Sequence, residues 1–298
     1  MNRIHYSHCP VCNSTNIDPL LKVKDHSVSK EEYVVWQCRD CTLRFTQDVP
    51  DEDSIGPYYA SPDYISHSNT SKGLLNQLYQ NVRRLTLAQK ANLVERYTRK
   101  KGSLLDIGAG IGAFLSAMKQ RGWEARGIEP DEGARTNAKE LFGLTLQEPS
   151  LLFEADGRRY DAITLWHVLE HVHQLHPYVA RLKERLAEGG KIFIAVPNYT
   201  SADAAAYRNY WAAYDVPRHL YHFSPQSISV LMNAHGLRVI EKKPMWFDSF
   251  YISLLSSKYH RGRTSWLGAG LNGLRSNLAA LVNRDRCSSL IYIVEKAS

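Results

Sequence analysis

The chain has 298 residues, 44% of them hydrophobic and 22% charged, with a formal net charge of +7. That length supports one large domain or two smaller ones around a sizeable core. No run of 18 apolar residues occurs, so no membrane-spanning helix is expected. Residues 1–8 also lack the apolar region of a signal peptide.

The charge is uneven. Residues 1–60 hold six Lys/Arg and nine Asp/Glu, whereas residues 199–298 hold twelve and six. The basic end can face phosphates, acidic glycans or a membrane surface, or can simply be a solvated face. Five cysteines, four of them in two close pairs, fit a reducing compartment and a metal better than disulfides. A cytoplasmic location is therefore expected.

Residues 1–47 read as a small unit built around the cysteine pairs. Residues 48–72, rich in Pro, Asp, Ser and Tyr, read as a linker. Tyr58, Tyr59 and Tyr64 give it enough aromatic surface to drape on its neighbour. Helical periodicity then runs from Gly73 to Lys100. Beyond it, strand patterns at 103–107, 125–129, 144–147, 160–165 and 191–196 alternate with helical patterns at 112–121, 131–141, 168–172 and 176–188. That alternation predicts a doubly wound parallel sheet with helices on both faces. Ser224-Pro225 opens a helix over 226–235, which Gly236 closes. Two further strands, at 237–242 and 289–295, enclose an insertion of more than forty residues.

The stretch Leu104-Leu105-Asp106-Ile107-Gly108-Ala109-Gly110-Ile111-Gly112 is a strand running into a tight turn that opens a helix. Its glycines let backbone approach a ligand, and the helix N-terminus offers free N–H donors. Glu129 ends the second strand, 23 residues after Asp106, and can bind both ribose hydroxyls. Gly108, Gly110 and Ala113 also satisfy the dinucleotide pattern, so the turn alone leaves the nucleoside open. Three features favour S-adenosylmethionine: Asp106 ahead of the first glycine, the strand Tyr160–Leu165 continuing into Trp166-His167-Val168-Leu169-Glu170-His171-Val172, and a fifth strand ending at Pro197-Asn198.

With these motifs the chain, over roughly residues 75–298, resembles the class I S-adenosylmethionine-dependent methyltransferases. It looks closest to the ubiquinone-pathway O-methyltransferase branch. The resemblance implies a Rossmann-like, mostly parallel sheet of seven strands whose last strand runs antiparallel. It implies that Asp106, Gly108, Gly110 and Gly112 hold the methionine part and Glu129 the ribose. Ala109, Pro130 and His167 complete the cofactor-binding set, and Gln147 and Glu148 flank the adenine.

Cys9-Pro10-Val11-Cys12 and Cys38-Arg39-Asp40-Cys41 are separated by 25 residues. Two such knuckles supply four thiolates for a closed, structural zinc site. The unit resembles the zinc ribbons that precede small-molecule methyltransferases and those of ribosomal RNA methyltransferases. Its acidity disfavours a nucleic-acid grip.

The expected reaction is methylation, on oxygen, of a small-molecule acceptor: a quinone- or phenol-like compound or a glycan-pathway sugar. An RNA methyltransferase and a non-catalytic S-adenosylmethionine-binding module are the alternatives. An oxygen acceptor needs a base. Candidates are His167 and Glu170 after the fourth strand, and His219 in Pro217-Arg218-His219-Leu220-Tyr221-His222. In the second run an Arg-His pair could hold an anionic group and deprotonate a hydroxyl. Insertions at 199–224 and 244–288 are expected to cover the acceptor. Between residues 256 and 286 the second carries six Lys/Arg and one acid. It is read as a helical cap, a dimer surface, or a peripheral membrane contact through 244–270.

Overall fold

The computed structural model describes residues 2–59, 74–98, 100–154 and 157–297, without the side chains of 74–81. Tyr64 and most of the expected linker lie outside the described residues.

A six-stranded sheet organises the chain from residue 103 onward. Its strands are β6 (Ser103–Ile107), β7 (Glu124–Ile128), β8 (Tyr160–Trp166), β9 (Leu186–Pro197), β11 (Leu237–Pro244) and β12 (Ser289–Lys296). The spatial order is β11-β12-β9-β8-β6-β7. The β7, β6, β8 and β9 neighbours pair in parallel, and β12 runs antiparallel to both β9 and β11. The central strands are near-continuous apolar runs because both faces are covered.

The expected seventh strand, 144–147, is reduced to a single bridge between Gln147 and Ile128. Leu144 and Leu146 are buried, but Pro149 follows at once and has no N–H with which to extend a ladder. The helical pattern at 168–172 proves to be one short 3₁₀ turn, Leu169–His171.

Five helices flank this sheet in the expected places. They are α1 (Leu74–Thr98), α2 (Ala113–Gln120), α3 (Glu132–Phe142), α5 (Leu175–Arg185) and α7 (Pro225–Ala234), with the one-turn α4 (Ser150–Phe153) between α3 and β8. Asp131 caps α3 by accepting from the Ala134 N–H. Ser224 and Ser227 form a reciprocal capping box on α7. At the Pro197-Asn198 corner the Asn198 amide donates to the carbonyls of Asp285 and Cys287, at 2.7 and 2.9 Å. The last antiparallel strand is thereby held in register.

The cysteine-bearing segment shares its sheet and its core with the rest of the chain. Strands β2 (Ile17–Lys24), β3 (Glu32–Cys38) and β4 (Arg44–Thr46) form an antiparallel sheet whose fourth strand is β10 (Tyr221–His222), from the insertion after β9. A separate two-stranded pairing joins β1 (Arg3–Ile4) to β5 (Val49–Pro50). Cys9, Val11, Leu43 and Phe45 belong to the same hydrophobic cluster as Leu165, Ile194 and Phe223.

Arg218 stitches the two parts together. Its guanidinium is buried and pairs with Asp25 of the cysteine-bearing segment at 3.0 Å and with Asp215 at 2.6 Å. It also donates to the Tyr58 carbonyl at 2.9 Å and to the Ser27 hydroxyl. The expectation that Arg218 would hold an anionic group of the acceptor is not met, because its donors are engaged inside the protein. The insertion after β11 folds into two helices, α8 (Asp248–Arg261) and α9 (Trp266–Val282), and α6 (Ala202–Tyr207) packs against both.

Removing Arg218 would leave two carboxylates uncompensated in the interior, so Arg218→Ala is expected to cost about 3–5 kcal/mol in urea unfolding. Burial works to raise the Asp25 carboxyl, but Arg218 and the Ser29 and Val28 amides outweigh it and hold it below its usual value. A depressed carboxyl contributes stability above its unfolded pKa, about 3.9, and loses it as pH falls through the folded value. Midpoints measured from pH 5 downward should therefore fall in the parent. In Asp25→Asn the fall should be shallower.

Candidate active site

The glycine turn lies at the carboxyl end of β6, where open α/β sheets bind ligands. Gly108, Gly110 and Gly112 all have positive φ, at 69°, 53° and 79°. A Cβ at Gly108 would lie 2.4 Å from the Val168 side chain, whereas one at Gly110 would meet nothing within 4 Å. Gly110 thus leaves open the space that an approaching ligand needs. Its N–H donates to Glu129 Oε2 at 2.7 Å, and the Asp131 N–H donates to Oε1 at 3.0 Å. Burial pushes the Glu129 carboxyl up, against these two amides. Each of its oxygens keeps a lone pair for a further donor.

The other expected binding residues surround this turn. The Ala109 N–H bonds the Ile128 carbonyl at 2.9 Å, locking the loop to β7. Pro130 is exposed on the rim, and its carbonyl accepts from Arg135 at 2.7 Å. Gln147 lies beside Glu129, whose N–H it accepts at 2.9 Å. Glu148 pairs with Arg135 at 3.3 Å. Asp106 faces into the sheet and accepts from the Thr164 hydroxyl at 2.6 Å. Burial raises its carboxyl to about 7, with Thr164 and Lys90 opposing.

The run after β8 forms an ionisable cluster. His167 has φ 60° and lies between Asp248, 3.0 Å from its Nε2, and Glu170, 3.4 Å from its Nδ1. Burial works to lower the imidazole, but the two carboxylates outweigh it and raise the pKa to about 9. His167 is accordingly an imidazolium near neutrality.

Glu170 is fully buried, and neither oxygen has a hydrogen-bond partner among the described residues. Burial works to raise its carboxyl. His167, His219 and His171 hold it below its usual value. His171 is driven down to about 4, first by burial and then by His219. The rings of His171 and His219 meet edge to face, with centroids 4.6 Å apart. Each Nδ1 lies 2.9 Å from a backbone carbonyl, Arg218 for His171 and Ala213 for His219. Donation there leaves each Nε2 as the acceptor nitrogen, and Asp215 Oδ2 lies 4.0 Å from that of His219. Glu170, His171 and His219 each bring one ligand atom within 4.8 Å of the others.

Two residues at this site carried no sequence signal. Lys90 of α1 lies 4.4 Å over the Trp166 ring. Burial lowers its ammonium pKa, opposed by Asp248 and Asp106. Asp248 opens α8 and reaches His167 across 81 residues of chain. Both border a cavity of about 400 Å³, which Leu93, Met245, Trp246 and Ile291 also line. His222, by contrast, is neutral and structural: burial holds its pKa well below the usual range, and its Nε2 meets the Thr46 hydroxyl at 3.1 Å.

A family model described as a methyltransferase domain matches residues 79–242. The chain belongs to this methyltransferase domain family. An uncharacterised methyltransferase from Alkaliphilus oremlandii is 28% identical over 108 residues, which cover 35% of this chain and half of that relative. The structure of an S-adenosylmethionine-dependent methyltransferase from Archaeoglobus fulgidus is 19% identical, covers 72% of this chain and 94% of its own, and superposes with a TM-score of 0.49. A didemethyltoxoflavin N1-methyltransferase from Burkholderia thailandensis is 15% identical over 87% of this chain and 98% of its own, with a TM-score of 0.46.

The four paired cysteines of this chain converge at one point. Cys9 and Cys41 have sulfurs 3.4 Å apart, and Cys12 and Cys38 have theirs 3.6 Å apart. All four lie within 4.8 Å of one another. A tetrahedral metal with bonds of about 2.3 Å requires sulfur separations of about 3.8 Å, so the set fits a closed metal site.

NMR titration of the His167 imidazole should give a midpoint near 9, and Asp248→Asn should bring it down by a unit or more. A raised pKa means that this pairing stabilises the fold fully below about pH 6.5. The contribution is lost as pH rises through about 9.

Proposed function

We propose that the chain is an S-adenosylmethionine-dependent O-methyltransferase for a small-molecule acceptor, quinone- or phenol-like or a glycan-pathway sugar, with a structural zinc in its ribbon. The observation that carries the cofactor reading is the Gly110–Glu129 cradle: open backbone over a buried carboxylate whose oxygens retain acceptor capacity. When bound, S-adenosylmethionine supplies an activated sulfonium methyl. The chain's own work is to orient the acceptor and take a proton from it.

His219 is the proposed base. Its Nδ1 proton is directed to the Ala213 carbonyl, which leaves Nε2 to accept. The buried Glu170 carboxylate stands ready to compensate the imidazolium that forms. His167, already charged, pairs with Glu170 and with Asp248, which borders the cavity. The apolar side chains of Leu93, Met245, Trp246 and Ile291, beside the cations Lys90, Arg96 and Lys243, suit a flat acceptor that carries polar substituents.

The ribbon enters this reading as a positioning element. Thr46 donates its backbone N–H to the Leu220 carbonyl at 2.9 Å and its hydroxyl proton to the His219 carbonyl at 2.8 Å. Strand β4, which follows the second cysteine pair, thus braces the loop that carries the proposed base.

Labelled methyl from S-adenosylmethionine should enter the small-molecule or lipid pool of a fractionated cell extract. Label confined to the RNA pool would refute the acceptor class. Glu129→Ala should abolish adenosylhomocysteine binding in calorimetry. His219→Ala should keep that binding and lose about 10²- to 10⁴-fold in turnover. Near-parental turnover would remove His219 as the base. The purified protein should carry one zinc per chain, and Cys38→Ser should lower both zinc content and melting temperature.

A further inference from the structure

Helix α9 is amphipathic in the reverse of the usual sense. Its buried face carries only small residues, Ala269, Gly273, Ser276 and Ala280. A Cβ on Gly273 would meet the Phe250 ring at 2.7 Å, so α8 and α9 are in close backbone approach there. Ser276 donates to Asp203 at 2.9 Å, which fixes this face inward. The large side chains point outward. Leu267, Leu271, Leu274, Leu278, Leu281 and Val282 are all exposed, Leu267 at 86% and Val282 at 92%. At about 100° per residue they fall within one stripe of about 100° of arc along the 17-residue helix. Trp266 stands exposed at its start. A soluble helix places such residues against the core, and a contiguous exposed apolar stripe marks an interaction surface.

The charge around the stripe selects the partner. Lys258, Arg261, Arg263, Arg275 and Arg284 are all exposed, and no acid occurs between Asp248 and Asp285. Three of these cations lie on α8 and the turn into α9, Arg275 borders the stripe, and Arg284 follows the helix. A second copy of the same face would bring like charges together. A surface that offers acyl chains beneath anionic headgroups satisfies both features at once.

We infer that α9 is an in-plane membrane anchor, with its leucine stripe embedded at the acyl boundary of an anionic bilayer and its flanking Lys and Arg on the headgroups. Among the described residues no helix is long and apolar enough to cross a membrane, so the contact is peripheral. The anchor also bears on the cavity. Asn277 of α9 donates to the Trp246 carbonyl at 2.9 Å and accepts from the Ser249 hydroxyl at 2.8 Å. The wall residue Trp246 is therefore tied to the embedded helix. The surface itself does not depend on what the cavity binds.

The test is flotation of the purified full chain with vesicles of phosphatidylcholine, with and without phosphatidylglycerol. The parent should float with the anionic vesicles at low salt and release as salt screens the headgroups. Leu271→Glu combined with Leu278→Glu, both on the exposed face, should melt like the parent yet show at least about a tenfold loss of bound protein. Adenosylhomocysteine binding by the same variant should stay unchanged, which separates this result from the fate of the methyl-transfer reading. Absence of flotation at low salt overturns the proposal, as does equal flotation by the variant. A parent dimer in ultracentrifugation that fails to float and that the same substitutions dissociate also overturns it, in favour of a seam between copies.

Discussion

A single buried guanidinium holds this molecule's two halves in one arrangement. Arg218 sits among Asp25, Asp215, Ser27 and the Tyr58 carbonyl, so each of its neighbours is constrained by the others. Asp25 in turn gathers the Ser27, Val28 and Ser29 amides of the β2–β3 loop. A charge removed from water must be met on all sides, because a missing partner costs more than the pair itself gains. The β2–β3 loop, the Tyr58 turn and the loop before β10 cannot move independently without breaking that cluster. His219 follows Arg218 directly, so the position of its imidazole is inherited from the same contacts.

The site divides accordingly into two kinds of structure. The glycine turn and Glu129 sit at the ends of adjacent parallel strands, and their geometry follows from the sheet alone. The histidine cluster is assembled from the turn after β8, the loop before β10 and the start of α8, all brought in over the sheet's carboxyl edge. Glu170 is the electrostatic centre of that assembly. Among the described residues its oxygens have no hydrogen-bond partner, which makes the burial costly, and three imidazoles around it moderate the cost. The protonation of each member of the cluster therefore depends on that of its neighbours.

The parts legible from residue order were those with a local cause. Gly108, Gly110 and Gly112 announce a left-handed turn because other residues resist that backbone. The cysteine knuckles announce a four-sulfur cluster because two close pairs leave few alternatives. The strand at 144–147 misled because its apolar alternation is real, while its pairing is cut short by Pro149. The role of Arg218 misled for a different reason. An Arg-His dipeptide in an aromatic loop looks like a ligand grip, and nothing nearby in the chain reveals that Asp25, 193 residues away, occupies it.

By itself, the amino-acid order determined the alternation of strands and helices, the nucleoside-type turn, the acid at the end of the second strand and the four-cysteine set. All of these are short-range requirements of backbone conformation or ligand chemistry. Only the tertiary structure decided that β10 completes the sheet of β2, β3 and β4, that Lys90 and Asp248 close on the His167 cluster, and that the leucines of α9 face outward. Those outcomes depend on which distant surfaces meet. A helical period identifies two faces, and burial alone says which of them the core accepts.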